Sequence, residues 1–267
     1  HVPGARALIA RYLAGHGTAA ILWLVSAVVP APARFWLWGV AFAIDLGTPW
    51  LAVRHSAAVP PDAAHLPERF GLFTLILLGE SVVAVMRGIE SQEDWTPAAA
   101  LSAFLGMGIL LALWWWYFDG VAGPAAQPVR NHRDALRFHV WSYAHFPLYL
   151  GLVVSGVGLE RIVMDASRAR LPPGEALILS GAFGLVMLAM AAIGATSAGS
   201  RRPRRVTAAV HVGLAAAMVA IVIGGRLSSP IALVVTLASA CLVQLGASLY
   251  APTRAQATAT SARVGTA

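Results

Sequence analysis

The chain has 267 residues, of which 58% are hydrophobic and only 12% are charged, and its mean hydropathy is +0.70. About a quarter of the residues of an ordinary soluble domain are charged, so this composition excludes that class and predicts a protein whose main solvent is lipid. The formal net charge of +7 does not indicate nucleic-acid binding, because every cation is an arginine and most lie between apolar segments, where they orient helices in a membrane.

Apolar segments of about twenty residues recur along the chain, and each is long enough to cross a hydrocarbon core of about 30 Å as an α-helix. The sequence therefore predicts an all-α, polytopic transmembrane bundle of about eight spanning helices within residues 1–251. The spans are expected near 12–29, 35–53, 68–87, 97–118, 138–159, 176–195, 206–224 and 230–250. The tail 252–267 is rich in Ala, Thr and Ser and is predicted to be disordered.

The fourth span has recognisable features at both ends. Thr96 is a suitable N-cap, and Pro97 occupies the first helical position, where its missing N–H costs nothing. The aromatic residues 114–117, with the sequence WWWY, end the span and are interpreted as a belt at the membrane interface.

The arginines are distributed unequally between the two sides of the predicted membrane. Counted loop by loop, the side that holds both ends of this chain carries the larger share, which includes the cluster at residues 201–205. Cytoplasmic loops are enriched in arginine, so both termini of this chain are predicted to be cytoplasmic, in a plasma membrane. The chain begins at His1 rather than at a methionine, which leads us to expect an N-terminal truncation.

The third span carries three charged residues on one helical face. Eleven residues separate Arg69 from Glu80 and eighteen separate it from Arg87, so all three lie within about 20° of one another around a helix. A charge at bilayer depth costs about 2.5–3.5 kcal/mol, so this face is expected to turn toward the bundle interior or a hydrated path. Glu80 lies near mid-span, about 16 Å from Arg69, and its partner is therefore expected on another helix.

Four further ionisable residues lie within predicted spans and are candidate partners of Glu80. Asp45 lies in the second span, His139 and His145 lie in the fifth, and His211 lies in the seventh. Burial disfavours the charged form of carboxyls and imidazoles alike, which suits such groups to proton exchange. Together with Glu80 they make up a predicted proton or substrate path. The alternative for each is a structural role in helix packing.

No cofactor or metal site is predicted. The sequence lacks the P-loop, dinucleotide-binding, zinc-protease and hydrolase motifs. His139 and His145 lie about 240° apart around a helix, so they do not form a metal-binding pair on one face. The single cysteine, Cys241, lies in an apolar segment, which excludes an internal disulfide framework and predicts a buried apolar side chain.

Two segments resemble motifs of the bacterial low-temperature-requirement A family. Residues 65–85 read HLPERFGLFTLILLGESVVAV, and residues 114–119, which end the next helix, read WWWYFD. The positions that match the family's motifs are His65, Glu68, Arg69, Gly79, Glu80 and Asp119. Members also carry an acidic, Phe-rich N-terminal segment that is missing here, which again favours a truncated chain.

Three classes of function are consistent with these residues. The favoured one is a transporter or channel-like protein, proton-coupled and centred on Glu80, that works with a proton or an unknown small solute. A less favoured one is a membrane enzyme that acts on a lipid-type substrate with Glu68, Asp119 and His139 as acid/base groups. The third is a non-catalytic stress-adaptation protein. The lipid bilayer is the expected partner in every case, nucleic acid is not, and homo-oligomerisation is left open.

Overall fold

A computed structural model describes residues 5–56, 65–121, 129–197, 209–216 and 229–250. Every regular element within these ranges is a helix, so the predicted all-α class is confirmed. The helices are α1 (Ala5–Ser26), α2 (Ala33–Ser56), α3 (His65–Glu90), α4 (Pro97–Trp115), α5 (His132–Met164), α6 (Pro173–Thr196), α7 (described over 209–216) and α8 (Pro230–Tyr250), with a π-helical segment, Trp116–Val121, directly after α4.

Six of these helices, α1 to α6, are long and apolar enough to cross a membrane, and a shorter apolar helix covers Pro230–Gly246. The first six predicted spans each overlap one of the six. Of the seventh predicted span, only 209–216 lies within the described residues. The tail 252–267 lies outside them, and its predicted disorder stays a prediction.

The chain divides into two compact units, which we describe separately. The first comprises residues 1–63 and 127–140, and the second comprises residues 64–126 and 141–267. In the first unit, α1 and α2 form a tight antiparallel pair. Gly15 permits the close approach, because a Cβ atom at this position would overlap the side chain of Thr48.

In the second unit, α3 packs against α5 through small residues. A Cβ atom added at Gly156 would lie 2.7 Å from Ser81 Oγ, and one at Gly88 would lie 2.9 Å from the carbonyl oxygen of Glu160. Glycine at these two positions therefore lets the helices come into backbone contact, as small residues do at many membrane helix interfaces. This approach places the last turns of α3 and α5 side by side.

The start of α4 agrees with the sequence. The hydroxyl of Thr96 accepts a hydrogen bond from the N–H of Ala99 at 3.1 Å, and Pro97 is the first helical residue.

The end of α4 corrects the interpretation of residues 114–117 as an interfacial belt. Trp114 and Trp115 are exposed, but Trp116 and Tyr117 are almost fully buried. The π-helical segment has a wider turn than an α-helix, and it places the side chains of Trp116 and Tyr117 in the interior of the second unit. Such segments are common at functional sites.

Candidate functional site

The charged face of α3 points away from the bundle, contrary to the expectation that it would face the interior. Arg69, Glu80 and Arg87 are all exposed. The opposite stripe is buried and consists mainly of small residues: Gly71, Thr74, Leu78, Ser81, Ala84, Val85 and Gly88. The small stripe takes the interior because it allows closer helix contact than the long charged side chains do.

Arg87 lies between two carboxylates at the end of α3. Its Nη1 atom lies 3.1 Å from Glu80 Oε1 on the same helix, and its Nη2 atom lies 3.5 Å from Glu160 Oε2 on α5. The Glu80 side chain is 62% exposed, and that of Glu160 is only 23% exposed. The group carries two negative charges and one positive charge when all three residues are ionised.

The expectation that the partner of Glu80 comes from another helix is wrong. Arg87 follows Glu80 by seven residues, about two helical turns or 10.5 Å of rise. Helical side chains lean toward the N-terminus, so the long arginine reaches back along its own helix to the carboxylate. The sequence had placed both residues on one face, and the length of the arginine closes the gap between them.

A second cluster surrounds His145, which is fully buried in α5. The ring of Phe70 stacks on the imidazole with centroids 4.3 Å apart, and Trp141 lies edge-on at 4.7 Å. The hydroxyl of Tyr117 lies 3.1 Å from His145 Nε2, and the hydroxyl of Tyr149 donates to the carbonyl of Phe70 at 2.9 Å.

The hydrogen bonds of His145 identify its tautomer. Nδ1 lies 2.8 Å from the carbonyl oxygen of Trp141, which can only accept, so Nδ1 carries the proton. In the neutral imidazole Nε2 is then an acceptor, and the hydroxyl of Tyr117 donates to it. The cluster therefore joins α5 to the end of α4 through one buried hydrogen bond, surrounded by aromatic rings.

His211 belongs to a third buried group in the second unit. The amide nitrogen of Gln244 lies 3.0 Å from its Nε2 atom, and Trp116 contacts its ring edge-on with centroids 6.3 Å apart. Among the described residues, neither Trp116 Nε1 nor Gln244 Oε1 has a hydrogen-bond partner. A buried donor and acceptor of this kind are commonly satisfied by an ordered water.

In the first unit, Asp45 is held by α1. Its two oxygens lie 2.9 Å from His16 Nδ1 and 3.1 Å from Trp23 Nε1, which donates to it. The His16 and Asp45 side chains are 44% and 35% exposed, so this is a partly accessible pair. Asp45 is therefore a partner of His16 within its own unit.

His139 is buried in the part of α5 that belongs to the first unit. Its Nδ1 atom lies 2.8 Å from the carbonyl oxygen of Ala135, and its ring lies 5.8 Å from that of Trp50. Glu68 and Asp119 belong to the other unit. An enzymatic site that joins His139 to these two carboxylates thus stays a prediction.

The remaining family-motif positions lie along α3 and after α4. His65 Nδ1 lies 3.9 Å from Glu68 Oε2, with both side chains largely exposed. Gly79 has open space where a Cβ atom would lie, and Asp119 is exposed in the π-helical segment. In the described ranges, no group of three His, Cys, Asp or Glu side chains is arranged to hold a metal ion.

Sequence reasoning missed two functional candidates. Glu160 was not singled out, although its position four residues before the end of α5 matched the depth of Arg87 near the end of α3. Tyr117 was assigned to the membrane interface. The signal that could have separated it from its tryptophan neighbours was its phenolic hydroxyl, which needs a partner when buried and which the imidazole of His145 can accept.

Comparisons with known proteins agree with the motif resemblance. Residues 1–245 match the family described as bacterial low temperature requirement A protein (LtrA). An uncharacterised protein of Rhizobium meliloti (strain 1021) is 26% identical over 146 residues, which is 52% of this chain and only 32% of that protein. No solved structure matches. Since the family match covers nearly the whole chain, the protein belongs to the LtrA family of bacterial membrane proteins.

Proposed function

We propose that this chain forms part of a proton-coupled transport path in which Glu80 is the ionisable centre and Arg87 its exchangeable partner. The observation that carries the proposal is the position of Arg87 between Glu80 and Glu160, with one cation shared by two carboxylates. Because α3 has the length and composition of a membrane span, Glu80 near its middle lies where water is scarce, whereas Arg87 and Glu160 lie close to the ends of α3 and α5.

The charge balance favours binding of a single proton. Two carboxylates and one guanidinium leave a net charge of −1, and a charge at bilayer depth is costly unless it is paired or hydrated. Protonation of either carboxylate makes the group neutral. When Glu80 takes the proton, its attraction for Arg87 falls, and Arg87 is left paired with Glu160.

Accessibility supports the same role. The side chains of Glu80 and Arg87 are 62% and 45% exposed, so the described helices do not enclose either group. Glu160 is more sheltered and lies near the end of α5, about two turns beyond Glu80 along α3. A proton that passes from Glu80 to Glu160 would advance about 10 Å across the membrane.

The test is proton flux into liposomes that contain the natural protein and a pH-sensitive dye, under an imposed proton gradient. We expect flux in the unaltered protein and its loss in Glu80→Gln, which keeps the size of the side chain and removes its charge. Glu90→Gln is the matched control, because Glu90 is an exposed carboxylate at the end of the same helix and outside the Arg87 group.

Absence of flux from the unaltered protein, or equal flux in Glu80→Gln and Glu90→Gln, would refute the proposal. Each variant is checked by size-exclusion chromatography in detergent, so that loss of the fold is not taken for loss of transport. If Glu80→Gln does not fold, Glu160→Gln tests the second carboxylate by the same assay.

A further inference from the structure

A cavity of about 190 Å³ lies between the end of α5 and the start of α6. Its walls are apolar and are formed by Val154, Val157, Ile162, Leu171, Ile178 and Leu179. Two charged residues, Arg161 and Glu175, line the same cavity. The site thus combines an apolar slot with one positive and one negative group.

Arg161 and Glu175 do not form ion pairs with other described residues. The two acidic residues nearest to Arg161 in the chain are paired with other arginines, Glu160 with Arg87 and Asp165 with Arg168. Within the described residues, neither Arg161 nor Glu175 has an ion-pair partner, and they do not pair with each other. Both are therefore available to a ligand.

The position of the charges matches the headgroup layer of a membrane. Arg161 lies one turn before the end of α5 at Met164, and Glu175 lies in the first turn of α6. Both helices are candidate spans, so these ends lie where hydrocarbon gives way to polar headgroups. The apolar walls continue from this level along α5 and α6 toward the hydrocarbon.

We propose that this cavity binds a zwitterionic glycerophospholipid with a phosphoethanolamine headgroup. The guanidinium of Arg161 pairs with the phosphate, the carboxylate of Glu175 accepts hydrogen bonds from the ammonium, and part of one acyl chain fills the slot. An anionic headgroup would satisfy Arg161 but leave Glu175 without a cation. A choline headgroup has a positive charge that can attract the carboxylate of Glu175, but it has no N–H group to donate a hydrogen bond.

The experiment is native mass spectrometry of the purified natural protein with equal amounts of phosphatidylethanolamine, phosphatidylglycerol and phosphatidylcholine that carry the same acyl chains. We expect phosphatidylethanolamine to be retained in preference to the other two. Arg161→Gln should lower its retention roughly tenfold, since a charge-assisted hydrogen bond is lost. Arg168→Gln, which removes an exposed arginine that does not line the cavity, is the matched control and should change nothing.

Glu175→Gln separates this proposal from simple electrostatic attraction. It should abolish the preference for phosphatidylethanolamine over phosphatidylglycerol, because only the ammonium depends on the carboxylate. Val157→Phe fills the slot without altering either charge, so it should weaken the binding of all three lipids alike.

Three results would overturn the proposal. They are a preference of the unaltered protein for phosphatidylglycerol, an unchanged lipid ratio in Glu175→Gln, and equal retention in Val157→Phe and the unaltered protein. Melting temperature is measured for each variant, and Glu175→Gln and Val157→Phe, which leave Arg161 intact, keep the proposal testable if Arg161→Gln does not fold. None of these outcomes depends on proton flux, so the lipid site and the proposed transport path are tested independently.

Discussion

Replacement of Gly88 by alanine tests the contact that brings Arg87 and Glu160 together. An added Cβ atom would lie 2.9 Å from the carbonyl oxygen of Glu160 and 3.0 Å from Val163 Cβ, whereas ordinary contact begins at 3.4 Å. The carbonyl is backbone and cannot rotate away as a side chain can. The end of α5 must therefore move away from α3.

The structure sets the size of this effect. Relief of the overlap requires a separation of roughly 0.5 Å, and overpacking of this kind costs about 1–3 kcal/mol. The same displacement would lengthen the contact between Arg87 and Glu160, now 3.5 Å, to about 4 Å. Gly88→Ala should accordingly lower stability and loosen the ion pair at the end of α3.

Gly79→Ala is the matched control for stability, because it makes the same change on the same helix. Nothing lies within 4 Å of a Cβ atom added at Gly79, so the higher helix propensity of alanine should leave stability unchanged or raise it by up to about 1 kcal/mol. Reversible unfolding in mixed detergent micelles measures both variants. If Gly88→Ala is as stable as Gly79→Ala, the proposed close packing of α3 on α5 is wrong.

Three further predictions concern hydrogen bonds, measured by the same unfolding assay. Tyr117→Phe should cost about 1–3 kcal/mol, because it leaves the acceptor nitrogen of His145 buried without its donor. Thr96→Ala should cost about 1 kcal/mol through loss of the N-cap of α4. Ser155→Ala should leave stability unchanged or raise it slightly, since the buried hydroxyl of Ser155 has no partner among the described residues. Ser81→Ala should instead lower stability by about 1 kcal/mol, because the hydroxyl of Ser81 donates to the carbonyl of Leu77.

Each of these predictions has its own control. Tyr12→Phe removes a phenolic hydroxyl that makes no hydrogen bond to the described residues, so it should lower stability less than Tyr117→Phe does. A Thr96→Ser variant keeps the capping oxygen and should retain most of the stability that Thr96→Ala loses. If Ser155→Ala proves as costly as Ser81→Ala, the buried hydroxyl of Ser155 has a partner, such as an ordered water.

Some features of the candidate site could be predicted from the sequence, and others could not. The common helical face of Arg69, Glu80 and Arg87 followed from their spacing, and His145 was found as a buried ionisable group. The direction of that face was predicted wrongly, since α3 carries a second stripe of small residues that competes for the interior. Periodicity locates two stripes on a helix, but the choice between them depends on which one a neighbouring helix can approach more closely.

The sequence by itself determined the helical class, the approximate positions of the first six spans and the start of α4. These features depend on local properties: the length and hydropathy of a segment, and the backbone hydrogen bonds that a helix satisfies within itself. Only the tertiary structure decided that Arg87 links Glu80 to Glu160 and that Tyr117 turns inward to His145. The contacts of Arg87 with Glu160 and of Tyr117 with His145 join different helices, so they depend on how closely glycine and serine let those helices approach and on which side chains can then reach one another.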